Sequence, residues 1–350
     1  MMSMPPGLSA HDLVAAEQSM YFSAPHVVQD LSNFAHFGAD HAEEAGRAVA
    51  RTSRLVLVGS GGSLACLFTA QYVLERITEV PIRVIPAKEL RWRDPVWLGP
   101  GSTVVLNSWS GQSGDVLDSL EFARAKGART VGVVADSHSP LATDVDLQIP
   151  YDGRSIYEVP IVALLHFVMG LEGVGSMDGG LRSSVLQLPE RLSQLMPSAA
   201  SKGAEDADRL RTVDHIYVLG AGPCSSLGLK LANVLMENVR IGSAYYDTVE
   251  FRHGAVEALD RIKPVMLVLI GSDDSREISL GMRDFSIREG AEVVAYDSAD
   301  YDLMEPLLAP LIMNSFTQWF VVYSALLRGI TDLDQRVYMG TGKLPQDVRS

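Results

Sequence analysis

The chain has 350 residues, 47% of them hydrophobic and 21% charged, which is enough for two ordinary domains and is typical of a globular protein. Its formal net charge of −14 offers no general attraction for phosphate backbones or anionic membranes. We therefore expect neither nucleic acid nor a membrane as a partner.

The N-terminal sequence and the cysteines indicate the compartment. No basic segment followed by an apolar stretch stands at the N-terminus, and no run of roughly 18 residues is free of charged and turn residues. Cys66 and Cys224 are the only cysteines, and each lies beside apolar or small residues at a predicted helix start. Isolated cysteines of this kind are typical of packed, reduced thiols, so we expect a cytoplasmic protein.

The first cluster of metal-binding residue types lies in "HFGADHAEE". His36 and His41 stand near Glu43 and Glu44, but a five-residue spacing on a helix turns the two imidazoles away from each other. We expect no metal at this cluster or elsewhere in the chain.

The two halves of the chain repeat one pattern. "RLVLVGSGGSLACLFTAQYVLE", from Arg54, and "HIYVLGAGPCSSLGLKLANVLME", from His215, each read as an apolar strand, a glycine-rich turn and a long helix. A second strand and loop follow in each half, "TVVLNSWSGQS" and "VMLVLIGSDDS", and then a helix that ends near Gly127 or Gly290. Alternating short strands and helices predict an α/β fold of two similar domains, each a mostly parallel sheet flanked by helices.

The repeat predicts how the chain is divided. The predicted parts are an N-terminal arm at 1–30, a first domain at 31–197, a second domain at 208–335 and a C-terminal tail at 336–350, with the connection at 198–208.

Three weaker features receive structural interpretations. "KELRWRD", from Lys88, alternates basic residues with Trp92 between them, which favours an exposed strand edge or an interface over nucleic-acid binding. His166 and His215 adjoin apolar strands or helices, so we expect both to pack.

Two loops of the first half have the composition of an anion site. Ligands of parallel sheets gather at the carboxyl ends of the strands, where backbone N–H groups, hydroxyls and the helix dipole favour a phosphate. The predicted phosphate-binding residues, in "GSGGS" and "SWSGQS", are Gly61, Gly62, Ser63, Ser108, Ser110 and Ser113. Any one of these serines could equally be an ordinary helix N-cap, so the signal is the presence of both loops in one half.

The second half lacks this composition. Its corresponding loop is "GSDDS", in which Asp273 and Asp274 would repel a phosphate, so the anion is predicted to bind in the first half. The turns "GSGGSL" and "GAGPCS" lack the third glycine of the dinucleotide fingerprint, and no acidic residue follows at the place for a ribose. We therefore expect no cofactor.

Acid/base candidates lie on one helix and in the loop that follows it. On the helix predicted from Ser225 to Val239, Lys230, Asn233 and Glu237 recur on one face, which is usually a solvated face.

His253 lies in a charged loop, three positions after Glu250. A loop histidine is most often solvated or a cap, but an acidic residue three positions before it can orient it as an acid/base pair. Glu250 either orients the ring of His253 or binds a backbone amide.

On these residues the sequence resembles the sugar isomerase (SIS) domain family over nearly its whole length. Tandem members carry an S-x-S-G-x-[ST] phosphate loop, matched here by Ser108, Ser110, Gly111 and Ser113, and the earlier serine loop is matched at Ser63. Trp109 departs from the glutamine or histidine that often stands at this position and can contact the sugar. The resemblance is closest to the fructosamine-6-phosphate deglycases and the isomerase half of glucosamine-6-phosphate synthase.

The resemblance implies roles for the acid/base candidates. These enzymes carry a helical glutamate and an E-x-x-H-G segment, matched by Glu237 and by Glu250 with His253, so Glu237 and His253 are the predicted catalytic residues and Glu250 a supporting one. The family also implies a homodimer or higher homo-oligomer, a C-terminal tail near the active site, and His253 or the tail reaching into the site of a neighbouring chain.

The resulting interpretation is a deglycase that converts a 6-phosphorylated fructosamine into glucose 6-phosphate and a free amine or amino acid. The absence of an N-terminal glutamine-hydrolysing domain and the R-x-Y-M run of the tail favour it over a synthase. An amino-sugar phosphate isomerase or deaminase would share every residue named above. A non-catalytic sugar-phosphate sensor would keep the serines but would not need Glu237 and His253 together.

Overall fold

A computed structural model describes residues 5–19, 21–173, 179–301 and 305–338. In its first half these residues form a parallel five-stranded sheet in the order β2-β1-β3-β4-β5. The elements of this half are α1 (Ala10–Glu17), α2 (Val27–Asn33), a π-helical turn (Phe34–Gly38), α3 (Ala39–Ala48), β1 (Arg54–Gly59), α4 (Gly61–Leu74), β2 (Ile82–Pro86), α5 (Ala87–Arg93), β3 (Ser102–Ser108), α6 (Gly114–Ala125), β4 (Arg129–Val134), α7 (Pro140–Asp144), β5 (Leu147–Pro150) and α8 (Glu158–Glu172).

The described part of the second half forms a parallel four-stranded sheet in the order β7-β6-β8-β9. Its elements are α9 (Gly179–Arg209), β6 (His215–Gly220), α10 (Cys224–Val234), a π-helical turn (Leu235–Val239), β7 (Gly242–Asp247), α11 (Thr248–Phe251), a 3-10 turn (Ala255–Asp260), β8 (Val265–Ile270), α12 (Arg276–Arg288), β9 (Glu292–Asp297), 3-10 turns (Ser298–Tyr301 and Pro306–Leu308) and α13 (Ala309–Leu327).

Burial follows the predicted α/β pattern. Every residue of β3 and of β8 is buried, as expected for central strands covered by helices on both faces. The prediction of a fold with two parallel sheets flanked by helices is confirmed.

The two sheets share one hydrophobic core. A single cluster of buried side chains includes Leu55 of β1 and Ile216 of β6, and the apolar helix α13 lies within it. The predicted connection at 198–208 falls inside α9, which packs along α13; a Cβ added to Gly203 would lie 2.7 Å from the backbone nitrogen of Phe320. The connection is therefore a helix of the core.

Two structural interpretations of the sequence are wrong: the strand edge at "KELRWRD" and the packing of His215. The alternative of an interface at "KELRWRD" stays a prediction. "KELRWRD" forms helix α5, not a strand edge: its Ala87 and Leu90 are buried, while Trp92 on the other face is 69% exposed. His215 begins β6 as an exposed residue and does not pack in the core, although its ring meets the edge of Tyr217.

His166 does pack, and it also has a polar partner. Its Nδ1 lies 3.0 Å from Oε1 of Glu43, on the neighbouring helix α3. No helix among the described residues is long and apolar enough to cross a membrane.

Candidate active site

The two predicted phosphate loops are tied together at the carboxyl ends of β1 and β3. Ser63 lies in the first turn of α4, and Asn107 is the next-to-last residue of β3. The buried amide of Asn107 donates to the carbonyl oxygen of Ser63 at 2.9 Å and to the sulfur of Cys66 at 3.0 Å. Asn107 was missed in the sequence because it reads as one more residue of an apolar strand.

The second loop is shaped by its own hydroxyls. Ser108 is buried; its Oγ accepts from the backbone of Gly111 at 3.1 Å and donates to Oγ of Ser113 at 3.4 Å. Oγ of Ser110 accepts from the backbone of Gln112 at 3.2 Å. Gly111 has φ +61°, and a Cβ there would lie 2.1 Å from Oγ of Ser139, so the turn requires glycine.

Neither helix that starts at these loops is capped by a side chain. Ser60 and Ser113 occupy the N-cap positions of α4 and α6, but neither side chain accepts a hydrogen bond from its helix. N–H groups of the first turn therefore stay available, and with the helix dipole they favour an anion. For Ser113, this arrangement is inconsistent with the ordinary capping role.

The corresponding turn of the second half holds a carboxylate. Oδ1 of Asp273 accepts from the backbone of Ser275 at 2.9 Å, and it would lie 2.8 Å from a Cβ added to Gly222. The other carboxylate oxygen would lie 2.3 Å from a Cβ added to Gly271. A negative charge thus occupies the space beside these glycines, as the sequence "GSDDS" suggested.

A cavity of about 970 Å³ opens beside the second loop, at the ends of β3, β4 and β5. Trp109 and Ser110 line it on one side, and Arg154 on another. The indole of Trp109 is fixed there, because its Nε1 donates to the carbonyl oxygen of Gly153 at 2.9 Å. His41, also in the lining, bonds through Nδ1 to the carbonyl oxygen of Phe37 at 2.8 Å.

Glu237 lies in the π-helical turn that follows α10. Such turns carry one extra residue and occur often at functional sites, because they change the direction in which a side chain leaves the helix. Oε1 of Glu237 lies 2.9 Å from Nη2 of Arg336, and the carboxylate side chain is 24% exposed. The predicted base is thus reachable from solvent and paired with a cation from the tail.

The helix that carries Ser63 packs against the helix that leads to Glu237. Thr69 of α4 bonds to Ser226 of α10, and its Oγ1 lies 2.6 Å from the hydroxyl of Tyr157. These hydroxyls are buried and fix α4 against α10. The predicted anion site of the first half and the carboxylate of Glu237 in the second half are therefore carried on adjoining helices.

Behind these helices, a buried polar network was not anticipated from the sequence. Nζ of Lys230 donates to Oδ1 of Asn314 at 2.6 Å, and Nδ2 of Asn314 donates to Oε1 of Glu158 at 2.7 Å. Burial lowers the pKa of Lys230 to about 8 and raises that of Glu158 above its ordinary value. The only sequence signal was the place of Lys230 on the polar face of its helix.

His253 and Glu250 lie apart from this arrangement. His253 is exposed, and its backbone nitrogen donates to the carbonyl oxygen of Glu250 at 2.9 Å. Within the described ranges, the imidazole makes no hydrogen bond or ion pair, with Glu237 or with the carboxylate of Glu250. The structure thus connects the serine loops with the helix of Glu237 and leaves His253 at the surface.

The two cysteines do not contribute nucleophiles. Both are buried and unpaired, and burial raises the pKa of each thiol well above its ordinary value.

Residues 49–166, which include both serine loops, match the SIS domain. The match spans all five strands of the first sheet. The fructoselysine 6-phosphate deglycase of Escherichia coli K12 is 27% identical over 294 residues, covering 82% of this chain and 86% of that protein. The isomerizing glutamine–fructose-6-phosphate aminotransferase of Caulobacter vibrioides is 26% identical over 82% of this chain, but only 51% of that longer protein is covered.

The fold of this chain is also found in a solved structure. The C-terminal domain of glucosamine-fructose-6-phosphate aminotransferase from Francisella tularensis superposes with a TM-score of 0.72 at 18% identity, covering 93% of this chain and 98% of that one. This match extends over both sheets, beyond the residues that match the SIS domain itself.

Proposed function

We propose that this protein is a deglycase that splits a 6-phosphorylated fructosamine into glucose 6-phosphate and a free amine or amino acid. The observation that carries the proposal is the position of Glu237, a partly exposed carboxylate on a helix that packs against the helix of the first serine loop. The similarity to a fructoselysine 6-phosphate deglycase over most of both chains favours this reaction among those that SIS proteins perform.

The phosphate of the substrate would bind at the serine loops. Ser63, Ser110 and Ser113 are partly exposed there, beside the uncapped N-termini of α4 and α6. Ser108 contributes by shaping the loop, because its hydroxyl is engaged within it. Binding at this end would place the remaining carbons away from the loops and fix which of them the base can reach.

The chemistry requires one proton transfer between neighbouring carbons. Glu237 would take a proton from C1 of the open-chain ketoamine, while the C2 carbonyl oxygen gains a proton from water, and the product is an enol. Return of the proton from Glu237 to C2 gives a protonated imine at C1, which water hydrolyses to the aldehyde of glucose 6-phosphate and the protonated amine. One carboxylate can serve both carbons from one face, and general acid/base catalysis of this kind contributes roughly 100- to 10,000-fold. His253 would assist ring opening.

A second candidate, the isomerisation or deamination of an amino-sugar phosphate, is favoured by the similarity to an isomerizing aminotransferase. It would use the same serines and the same carboxylate. The difference would lie in the pocket for the amine, where Trp109 stands on the cavity wall.

The test is a panel of 6-phosphofructosyl amino acids, with release of glucose 6-phosphate measured beside release of ammonia from glucosamine 6-phosphate. Glu237→Gln keeps the size of the side chain and removes the base, so kcat should fall at least roughly 100-fold with little change in KM. Near-normal turnover by Glu237→Gln would contradict the mechanism. Binding of the phosphorylated sugars without any turnover by the wild type would instead favour a sensor.

A further inference from the structure

The guanidinium of Arg336 lies against Glu237 and also contacts Leu333 and Tyr21. Nη2 lies 2.9 Å from Oε1 of Glu237, and Nη1 donates to the carbonyl oxygen of Leu333 at 2.5 Å. The guanidinium carbon lies 3.8 Å from the ring centre of Tyr21, and only 12% of the Arg336 side chain is exposed. An arginine confined in this way loses its side-chain entropy on folding and keeps one orientation.

The segment that carries Arg336 is bound to the π-helical turn of Glu237. Asn238, next to Glu237, donates through Nδ2 to the carbonyl oxygen of Leu333 at 3.2 Å. Arg240 donates to the carbonyl oxygen of Gln335 at 3.2 Å. The residues that lead into the tail are therefore bound by Asn238 and Arg240, which both follow Glu237 closely in the chain.

The N-terminal arm also contacts the segment that carries Arg336. Oγ of Ser19 donates to Oδ1 of Asp334 at 2.5 Å, two residues before Arg336. Together with the stacking of Tyr21 on the guanidinium, this contact joins both ends of the chain at the predicted base.

Among the described residues, Arg336 makes the only ion pair of Glu237. Lys230 is the nearby cation on the same helix, but its ammonium group bonds to Asn314 and lies in the buried network. A contact through Oε1 would leave Oε2 of Glu237 to exchange a proton with the substrate.

We propose that Arg336 is a positioning residue: it fixes the carboxylate of Glu237 in the orientation that transfers the proton, and the N-terminal arm and C-terminal tail hold it in place. This inference rests on the proposed function, because it acts through Glu237. It assigns to the two ends of the chain a direct part in the chemistry of the site.

The experiment compares Arg336→Met, which keeps the length of the side chain and removes the cation, with Arg240→Met. Arg240 binds the same tail segment and does not touch Glu237, so it is the matched control. On whichever panel substrate the wild type turns over, we expect Arg336→Met to lower kcat roughly 10- to 100-fold with KM within about twofold. Arg336→Lys should recover part of this loss, and Arg240→Met should lose less than about threefold.

A double-mutant cycle separates positioning from structural support. If Arg336 acts through Glu237, adding Arg336→Met to Glu237→Gln should cause no further loss in single-turnover release of product. Multiplied losses, or an Arg336→Met enzyme as fast as the wild type, would overturn the inference and leave the deglycase proposal intact. A folded wild type that turns over no panel substrate would overturn the proposed function and this inference with it.

Discussion

The serine hydroxyls of the second loop differ in burial and in hydrogen bonding although they are close in sequence. Ser108 is buried and bonds within the loop, whereas Ser110 and Ser113 are partly exposed beside an uncapped helix start. A substitution at Ser108 would therefore disturb the loop itself. Ser110 is the better probe of the ligand, since among the described residues its hydroxyl receives only the local bond from Gln112.

We expect Ser110→Ala to raise KM for the phosphorylated substrate by roughly 10- to 100-fold, because a hydrogen bond to a charged group is worth about 1.5 to 3 kcal/mol. Steady-state kinetics on the phosphorylated sugar measure the effect, and the unphosphorylated sugar is the control. Equal use of both sugars by the wild type would rule out a phosphate site at the loop.

Lys230 makes stability depend on pH. Burial lowers its pKa in the folded protein to about 8 from 10.5, although the nearby Glu158 carboxylate acts in the opposite direction. Between these two values the unfolded chain binds more protons than the folded one, so this residue's contribution to the unfolding free energy rises with pH.

Comparison of the wild type with Lys230→Met tests this dependence. Urea unfolding measures the free energy of unfolding of both proteins at pH 7.5 and 9.5. From the lower to the higher pH, the difference between the wild type and the variant should change in favour of the wild type by at most about 2 kcal/mol, since one unit of pKa shift corresponds to about 1.4 kcal/mol. A difference that is the same at both pH values would mean that Lys230 titrates normally in the folded protein.

At the scale of elements, α3 and α8 cross at a pair of glycines. A Cβ added to Gly46 would lie 1.9 Å from the carbonyl oxygen of Phe167, and one added to Gly170 would lie 2.0 Å from that of Glu43. Both contacts are with backbone atoms, which cannot turn aside as a side chain can. The helices can approach this closely only because both positions lack side chains.

Gly170→Ala should therefore destabilise the protein by about 1 to 3 kcal/mol through overpacking, as measured by chemical denaturation. Gly281→Ala on α12 is the matched control, because nothing lies within 4 Å of a Cβ there. Since alanine is the better helix former, the control should be neutral or more stable by up to about 1 kcal/mol. A wild-type midpoint for Gly170→Ala would show that the crossing can widen at little cost.

The sequence predicted those elements that have a recognisable local residue pattern. Apolar runs followed by glycine turns marked β1 and β6, and the serines marked the loop after β3. Helix α5 was misjudged because its basic residues alternate with Trp92, while its burial and the ion pair of Lys88 with Asp118 of α6 depend on tertiary packing. The π-helical turn at Glu237 was not predicted, because it occupies the last five residues of the helix, Leu235–Val239, and too few residues follow it to show a shift in periodicity.

At the scale of the molecule, the contacts around the predicted base come from distant parts of the chain. Arg336 and Tyr21 meet beside Glu237, and no pattern within one segment could reveal that contact. The repeat predicted two similar halves, yet the halves are unequal: the first keeps open serine loops, and the second places Asp273 in the corresponding turn. The division at 31–197 and 208–335 stays a prediction, since α9 and the shared core join the halves.

The position of His253 bears on assembly. It is exposed, two residues beyond the end of α11, and within the described residues its ring has no partner. A residue needed for ring opening but separate from the site of its own chain could act in the site of a neighbour. We therefore expect a homodimer in which Glu237 and His253 of one active site come from different chains, a symmetric exchange that a two-fold axis would repeat at both sites.

Mixing two inactive variants tests this arrangement. Glu237→Gln and His253→Ala chains, carrying different affinity tags and produced together, should form heterodimers in which one site holds both intact residues. With random pairing, about a quarter of the wild-type activity should return, because half of the dimers are mixed and each has one complete site. Glu237→Gln produced with the double variant is the control and should stay inactive. Tandem-purified heterodimers without activity would place both residues in one chain, and a fully active monomer in analytical ultracentrifugation would exclude the exchange altogether.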